Sequence, residues 1–406
     1  MQDRNRMAWF IIAVCAGLWG LLSLAAFGLI LVLPFLMETV DEASSSILAG
    51  GALINLSFAV ALGLVALHGW RQHPSPLFYP RRGWMVLLVT AVSAGIGAVL
   101  LPVSWQGTFA SMPFHLALIV LPALFLFSLV VLVVGRAFTL TWRQSVLAMA
   151  SGLLSTLLAL PLEMIGFLFS VAVVAFVAVF FPGGQAELMR LMGTLQAWSE
   201  MATSMVSPEE LMTLLASPVV LGILVIVLSL ITPLVEELGK TLIMPFVGFL
   251  EKPSLARAFL WGTACGVGFA VIEGTYNGGL AVGEAGGWLA GVLMRLPATT
   301  MHAFVSGLTA LGWGIFWQKR QHRWVWLIAC YAVAIVFHGL WNFNAIIMVF
   351  VSAVLTLPDA GWIFPSFGNV FLLFCGLFLA VLAVSALAGL FLFPWWLRRL
   401  DSRAAS

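Results

Sequence analysis

Charge is what this sequence has least of: Asp, Glu, Lys and Arg make up 8% of its 406 residues. A soluble domain carries roughly a quarter, so a water-exposed globule is excluded. The net charge of +2 is dispersed, mostly at the ends of apolar runs. That leaves no electrostatic footprint for nucleic acid, which is excluded as a partner. Cysteine is also sparse. Cys15, Cys265, Cys330 and Cys375 lie singly inside apolar runs, which excludes a disulfide framework and a CxxC metal site. They read as small core residues. No HExxH motif, Gly-rich phosphate loop, internal repeat or low-complexity tract is present.

What is present is apolar. Hydrophobic residues are 62% of the chain, the mean hydropathy is +1.11, and runs of about 18 or more apolar residues, enough to cross a bilayer as a helix, recur. These features predict an all-α, polytopic transmembrane helix bundle in the lipid bilayer. Ten spans are expected, at 7–37, 47–70, 84–103, 115–135, 145–182, 218–250, 258–281, 297–317, 324–356 and 368–393. The first begins like a signal peptide but is far longer than a signal's apolar core, so it reads as a retained span. With the N-terminus inside, the inner segments hold 15 of the 18 basic residues, while the outer ones hold Arg190 and Arg295. That bias places both termini in the cytoplasm. Splitting any of the three longest runs would move a basic cluster outside, so each is expected to cross once, tilted or kinked. Trp9, Trp70, Trp84, Trp324, Trp326, Trp395 and Trp396 fall at the expected interfaces, as in an aromatic belt. In the outer loop 183–217, Leu188, Leu191, Met192, Leu195 and Trp198 form one helical stripe suited to a membrane surface. Ser207, Pro208 and Glu210 spell a capping box.

A few ionisable residues break the apolar runs, at a cost of about 2.5–3.5 kcal/mol each at mid-bilayer. They are Glu163, Glu236, Glu237, Lys240, Glu273, His302 and His338. Glu163, after Pro161, reads as structural. The other six come from four consecutive spans. Counted from the inner helix ends at about 1.5 Å per residue, Glu236, Glu273, His302 and His338 all lie roughly 21–22 Å deep. Glu236 and Lys240 have the spacing of an intrahelical pair, but adjacent Glu237 points about 100° away and needs another partner. His338 and Asn342, one turn apart, share a face. Gly262/Gly266 and Gly274/Gly278 permit close helix approach around Glu273.

Carboxylates, imidazoles and an amide at one level suit water activation. A buried glutamate can act as general base, and His and Asn can steady an oxyanion. Glu273, His302 and His338 alternatively make a His₂Glu set for catalytic Zn2+, with the site metal-free in the first version. The same cluster could serve a proton- or cation-coupled transporter, although such transporters more often show repeated halves.

The ordered set EExxK (Glu236, Glu237, Lys240), FxxxE (Phe269, Glu273), the MHAFVSG segment with His302, and HxxxN (His338, Asn342) resembles the PrsW-type intramembrane proteases, grouped with the CAAX prenyl endopeptidases. The likeness covers residues 210–345. It departs from the prenyl endopeptidases, whose second motif ends in His where Glu273 stands. Some relatives have Asp where Asn342 stands. The resemblance implies hydrolysis of a peptide bond in a membrane-protein substrate, of which an anti-sigma-factor-like single-pass protein is one example. It also implies a bacterial cytoplasmic membrane. In its terms Glu236 or Glu237 activates water, Lys240 orients the carboxylates, Glu273 and His302 assist or bind metal, and His338 with Asn342 steadies the oxyanion. The expected organisation is a four-span scaffold or regulatory region (1–140), a long span with the outer loop (141–217), a protease-like core (218–356) and a last span with a basic tail (357–406).

Overall fold

The computed structural model describes residues 2–36, 42–105, 108–200, 213–214, 217–278, 287–318, 321–356 and 365–405. Among these, every extended element is an α-helix. In chain order they are α1 (Gln2–Leu36), α2 (Glu42–Trp70), α3 (Gly83–Leu100), α4 (Met112–Val134), α5 (Trp142–Leu154), α6 (Thr156–Ala178) and α7 (Gly184–Glu200). There follow α8 (Pro218–Ile226), a π-helical turn (Val227–Ile231), α9 (Thr232–Lys240), α10 (Met244–Glu251), α11 (Leu255–Asn277), α12 (Gly287–Gln318), α13 (Arg323–Thr356) and α14 (Pro365–Ala405). The capping box at Ser207–Glu210 lies outside the described residues.

Nine segments among the described residues are long and apolar enough to cross a membrane. The expected eighth span, 297–317, is helical but is not one of the nine. Its Thr, Gly and His content dilutes its apolarity. Those residues are tolerated because Met301–Gly312 are all buried against protein. The long runs differ from one another. The run 145–182 is broken at Ser155, whose hydroxyl donates to the Gly152 carbonyl at 2.6 Å. The run 218–250 is broken by the π turn and again between α9 and α10, whereas α13 is continuous.

By contacts the chain divides into two compact units, the first Met1–Thr156, Leu238–Ala334 and Ala386–Ser406, the second Leu157–Glu237 and Ile335–Ser385. The division falls inside α9, between Glu237 and Leu238.

In the first unit α11 is central, packed by α12, α5, α4 and α2. The span it forms is 89% buried, against 6% for α3, most of whose residues are exposed. Glycines make this possible. A side chain at Gly262 or Gly266 would run into the α12 backbone at Ser306 or His302. One at Gly268 would meet Met149 of α5. The expected GxxxG contact is therefore a backbone-to-backbone approach that positions His302.

In the second unit α13 meets the π turn. Gly339 lies so close to the Ser229 carbonyl that a Cβ there would collide with it. Asn342 Nδ2 donates to the Leu228 carbonyl at 2.7 Å. A π turn disrupts the i→i−4 ladder, and Asn342 satisfies one of its carbonyls.

Candidate active site in two histidine–carboxylate clusters

Each unit carries a buried histidine beside glutamate, partly buried Glu273 in the first and buried Glu236 and Glu237 in the second. In the first unit, Lys240 Nζ is 2.9 Å from His302 Nδ1. His302 Nε2 is 2.6 Å from Glu273 Oε2, and Arg295 Nη2 is 2.6 Å from the same oxygen. An ammonium only donates, so Nδ1 accepts from Lys240 and the ring proton sits on Nε2, beside the Glu273 carboxylate. The result is a directed chain, Lys240 to His302 to Glu273, with Arg295 as a second cation on the carboxylate. Lys240, fully buried, also sits 3.9 Å above the Phe269 ring. Phe269 is one helical turn before Glu273, so the FxxxE spacing sets both sides of the Lys240–His302 pair. A desolvated cation over an aromatic face is attracted by the ring quadrupole.

Arg295 is the residue that sequence reasoning missed. It was assigned to an outer segment, yet it neutralises Glu273. The available signal was its spacing: it precedes His302 by seven residues, two helical turns, so both side chains leave the same face of α12. The turn after Glu273 is held from α4. Buried His115 is 2.9 Å from the Thr275 carbonyl through Nε2. It accepts from Trp288 Nε1 through Nδ1 at 3.2 Å. The two bonds fix one neutral tautomer.

In the second unit His338 lies between two carboxylates. Its Nδ1 is 3.0 Å from Glu237 Oε1, and its Nε2 is 3.9 Å from Glu236 Oε2. Glu236 is 7% exposed, Glu237 0% and His338 2%. One ligand atom from each lies within 4.8 Å of the others. Adjacent Glu236 and Glu237 diverge around α9, and His338 is placed to reach both. With Glu237 ionised, it accepts Nδ1–H and leaves the Nε2 lone pair facing Glu236. A carboxylate on one imidazole nitrogen orients the ring and is a common feature of metal-ligating histidines. Nε2 of His338 and Oε2 of Glu236 are the facing atoms that would hold an ion. The donor set, an imidazole and two carboxylates, suits a divalent metal ion. The residues therefore fit a metal.

Glu163 is half-buried in α6. Glu187, outside the spans on α7, is bound by Arg190 at 2.8 Å and by the Ser217 hydroxyl at 2.5 Å. The hydrogen bond from Arg190 holds its carboxyl below the usual range.

Buried acids and imidazoles carried on helices apolar enough for lipid define a membrane-embedded hydrolytic or ion-handling protein. The profile of the PrsW family intramembrane metalloproteases matches residues 136–384. The chain belongs to that family, and it is an integral membrane protease. The match reaches well beyond the motif-bearing stretch 210–345 on both sides. It also decides against the transporter reading. No curated protein and no solved structure matches the chain.

Proposed function

We propose that the chain is a zinc-dependent intramembrane endopeptidase in which Glu236, Glu237 and His338 form the reacting centre. The observation that carries this is the placement of His338 between two buried carboxylates, 3.0 Å from one and 3.9 Å from the other. Glu237 holds Nδ1 and fixes the imidazole's orientation. Nε2 of His338 and Oε2 of Glu236 are the atoms that would hold the ion. Zinc, when bound, lowers the pKa of its water and polarises the scissile carbonyl.

The remaining oxygen of Glu236 accepts a proton from the attacking water. It then returns that proton to the leaving amide nitrogen as the C–N bond breaks. Asn342, oriented by its bond to the Leu228 carbonyl, offers its second amide hydrogen to the oxyanion. Glu273, engaged by Arg295 and His302, serves as a positioning residue. Lys240 and Glu273 hold the His302 tautomer between them. The substrate is a membrane protein with a cleavable bond at the depth of Glu236, and an anti-sigma-factor-like single-pass protein fits. The positive-inside count supports cytoplasmic termini in a bacterial cytoplasmic membrane, with residues 1–140 as scaffold.

The test pairs metal content with cleavage of a single-pass reporter by purified protein. Wild type should carry about one zinc per chain and cleave. Glu236→Gln should lose cleavage by about 10²–10⁴-fold, the range for a general base. Unchanged cleavage in Glu236→Gln would overturn the site. Full activity in metal-stripped protein would overturn the zinc alone.

A further inference from the structure

We propose that the junction of α1, α2 and α5 is a binding site for the phosphate headgroup of an anionic membrane lipid. The site is separate from both histidine clusters and does not depend on the protease reading.

The junction is built rather than incidental. Segment 71–80 after α2 is pinned to residues 139–143 before and at the start of α5. Phe78 N donates to the Leu140 carbonyl at 2.8 Å, and Trp142 N donates to the Pro76 carbonyl at 3.0 Å. Thr139 Oγ1 adds a 2.8 Å bond to the Phe78 carbonyl. Gln72, with φ of 60°, turns the chain out of α2 in the left-handed region. Between the two segments lies a cavity of about 170 Å³. Leu64, Val65 and Trp142 supply apolar lining, and His68, Ser75 and Arg143 supply polar lining. Leu64 and Val65 precede His68 by about one helical turn, so the lining grades from apolar to polar along α2.

The charge is positive. Arg143 lines the cavity, Arg6 lies against Trp70 at the end of α2, and exposed Arg71 follows Trp70 in the chain; among the described residues no carboxylate forms an ion pair with any of them. Arg143 Nη2 donates to the His73 carbonyl at 2.6 Å, which leaves most of its guanidinium donors open. Its guanidinium lies 5.6 Å from the Trp9 ring, and that of Arg6 lies 6.0 Å from the Trp70 ring. These faces hold the planar forks in place, and a held fork matches phosphate oxygens. Trp9 and Trp70 are interface residues by sequence, so the cavity sits where headgroups lie. Basic juxtamembrane clusters attract anionic lipids. The graded lining favours a phospholipid over free phosphate, because the apolar part would cover the glycerol and the first acyl carbons.

The experiment uses the full chain in nanodiscs of phosphatidylcholine alone or mixed with phosphatidylglycerol, with retained lipid read by native mass spectrometry. A third arm adds inorganic phosphate to the phosphatidylcholine discs. Wild type should retain phosphatidylglycerol preferentially. Arg143→Gln should weaken that retention about five- to tenfold, the effect of one lost basic contact. Arg71→Gln, at an exposed position that leaves the fold intact, should weaken it less. Arg403→Gln, the same charge removed from the C-terminal tail, should leave it unchanged. Equal retention in wild type, Arg143→Gln and Arg71→Gln would overturn the site. Displacement of bound phosphatidylglycerol by millimolar phosphate would overturn the lipid as its occupant.

Discussion

His302 and His338 are both buried imidazoles beside glutamates, yet their surroundings have opposite sign. His302 stands between an ammonium and a carboxylate, and that carboxylate is also held by Arg295. His338 stands between two carboxylates. The first setting is balanced by fixed cations and holds a defined tautomer. The second concentrates negative charge around the imidazole, the condition that favours a divalent cation or a mobile proton. Two residues of the same type at the same sequence-counted depth are thus suited to different work, one to positioning and one to chemistry.

The largest expected effect tests that division directly. Glu237→Gln should lower reporter cleavage by about 10²–10⁴-fold and reduce bound zinc, because Nδ1 of His338 loses its fixed acceptor. Glu273→Gln should lower cleavage much less and leave zinc content unchanged. Equal losses of zinc in the two variants would erase the comparison.

Next in size is the cation side. Arg295→Gln leaves the Glu273 carboxylate with a lost guanidinium, and cleavage should fall about tenfold through misplacement of His302. Arg295→Lys should recover part of it. Lys keeps the charge without the planar fork. A kcat loss at constant KM, rescued by Lys, marks positioning rather than folding.

Glycine substitutions ask which helix contact each histidine depends on. Gly266→Ala pushes against the backbone of His302, and Gly339→Ala pushes against the Ser229 carbonyl one residue from His338. Each should cost about 1–3 kcal/mol of stability by overpacking, read as a lowered Tm in detergent. Gly17→Ala, with nothing within 4 Å of the added carbon, should leave Tm unchanged.

The smallest effect lies outside the membrane. Arg190 depresses the Glu187 pKa, so the pair's contribution is present above the ordinary carboxylate pKa and is lost as pH falls through the lowered one. An exposed pair of this kind is worth under about 1 kcal/mol. The protection factors of α7 amides, which correct for the intrinsic pH dependence of exchange, should fall modestly on acidification through the lowered carboxylate range, and Arg190→Gln should remove that dependence.

Much of the fold was legible because lipid imposes a simple rule: a spanning segment must be helical and mostly apolar. α1, α4 and α13 follow directly from their runs. α12 does so less clearly, because a helix enclosed by protein is released from the apolar requirement and can carry Thr, Gly and His. The breaks at Ser155 and at Val227–Ile231 left no plain mark in hydropathy. Of the site, Glu236, Glu237, Lys240, Glu273, His302, His338 and Asn342 stood out because ionisable and amide groups are costly there. Arg295 did not, since an arginine near a span end reads as an interface residue until its partner is known.

By itself the sequence determined the helical class, the family and the residues able to do chemistry, because burying charge in an apolar chain is too expensive to be accidental. Which atoms meet was decided only by the tertiary structure. Sequence spacing offers Lys240 a partner along its own helix, and the tertiary structure brings its amine to His302 over the Phe269 ring. That choice depends on how closely α11 and α12 approach, which is fixed by glycine contacts between residues distant in the chain.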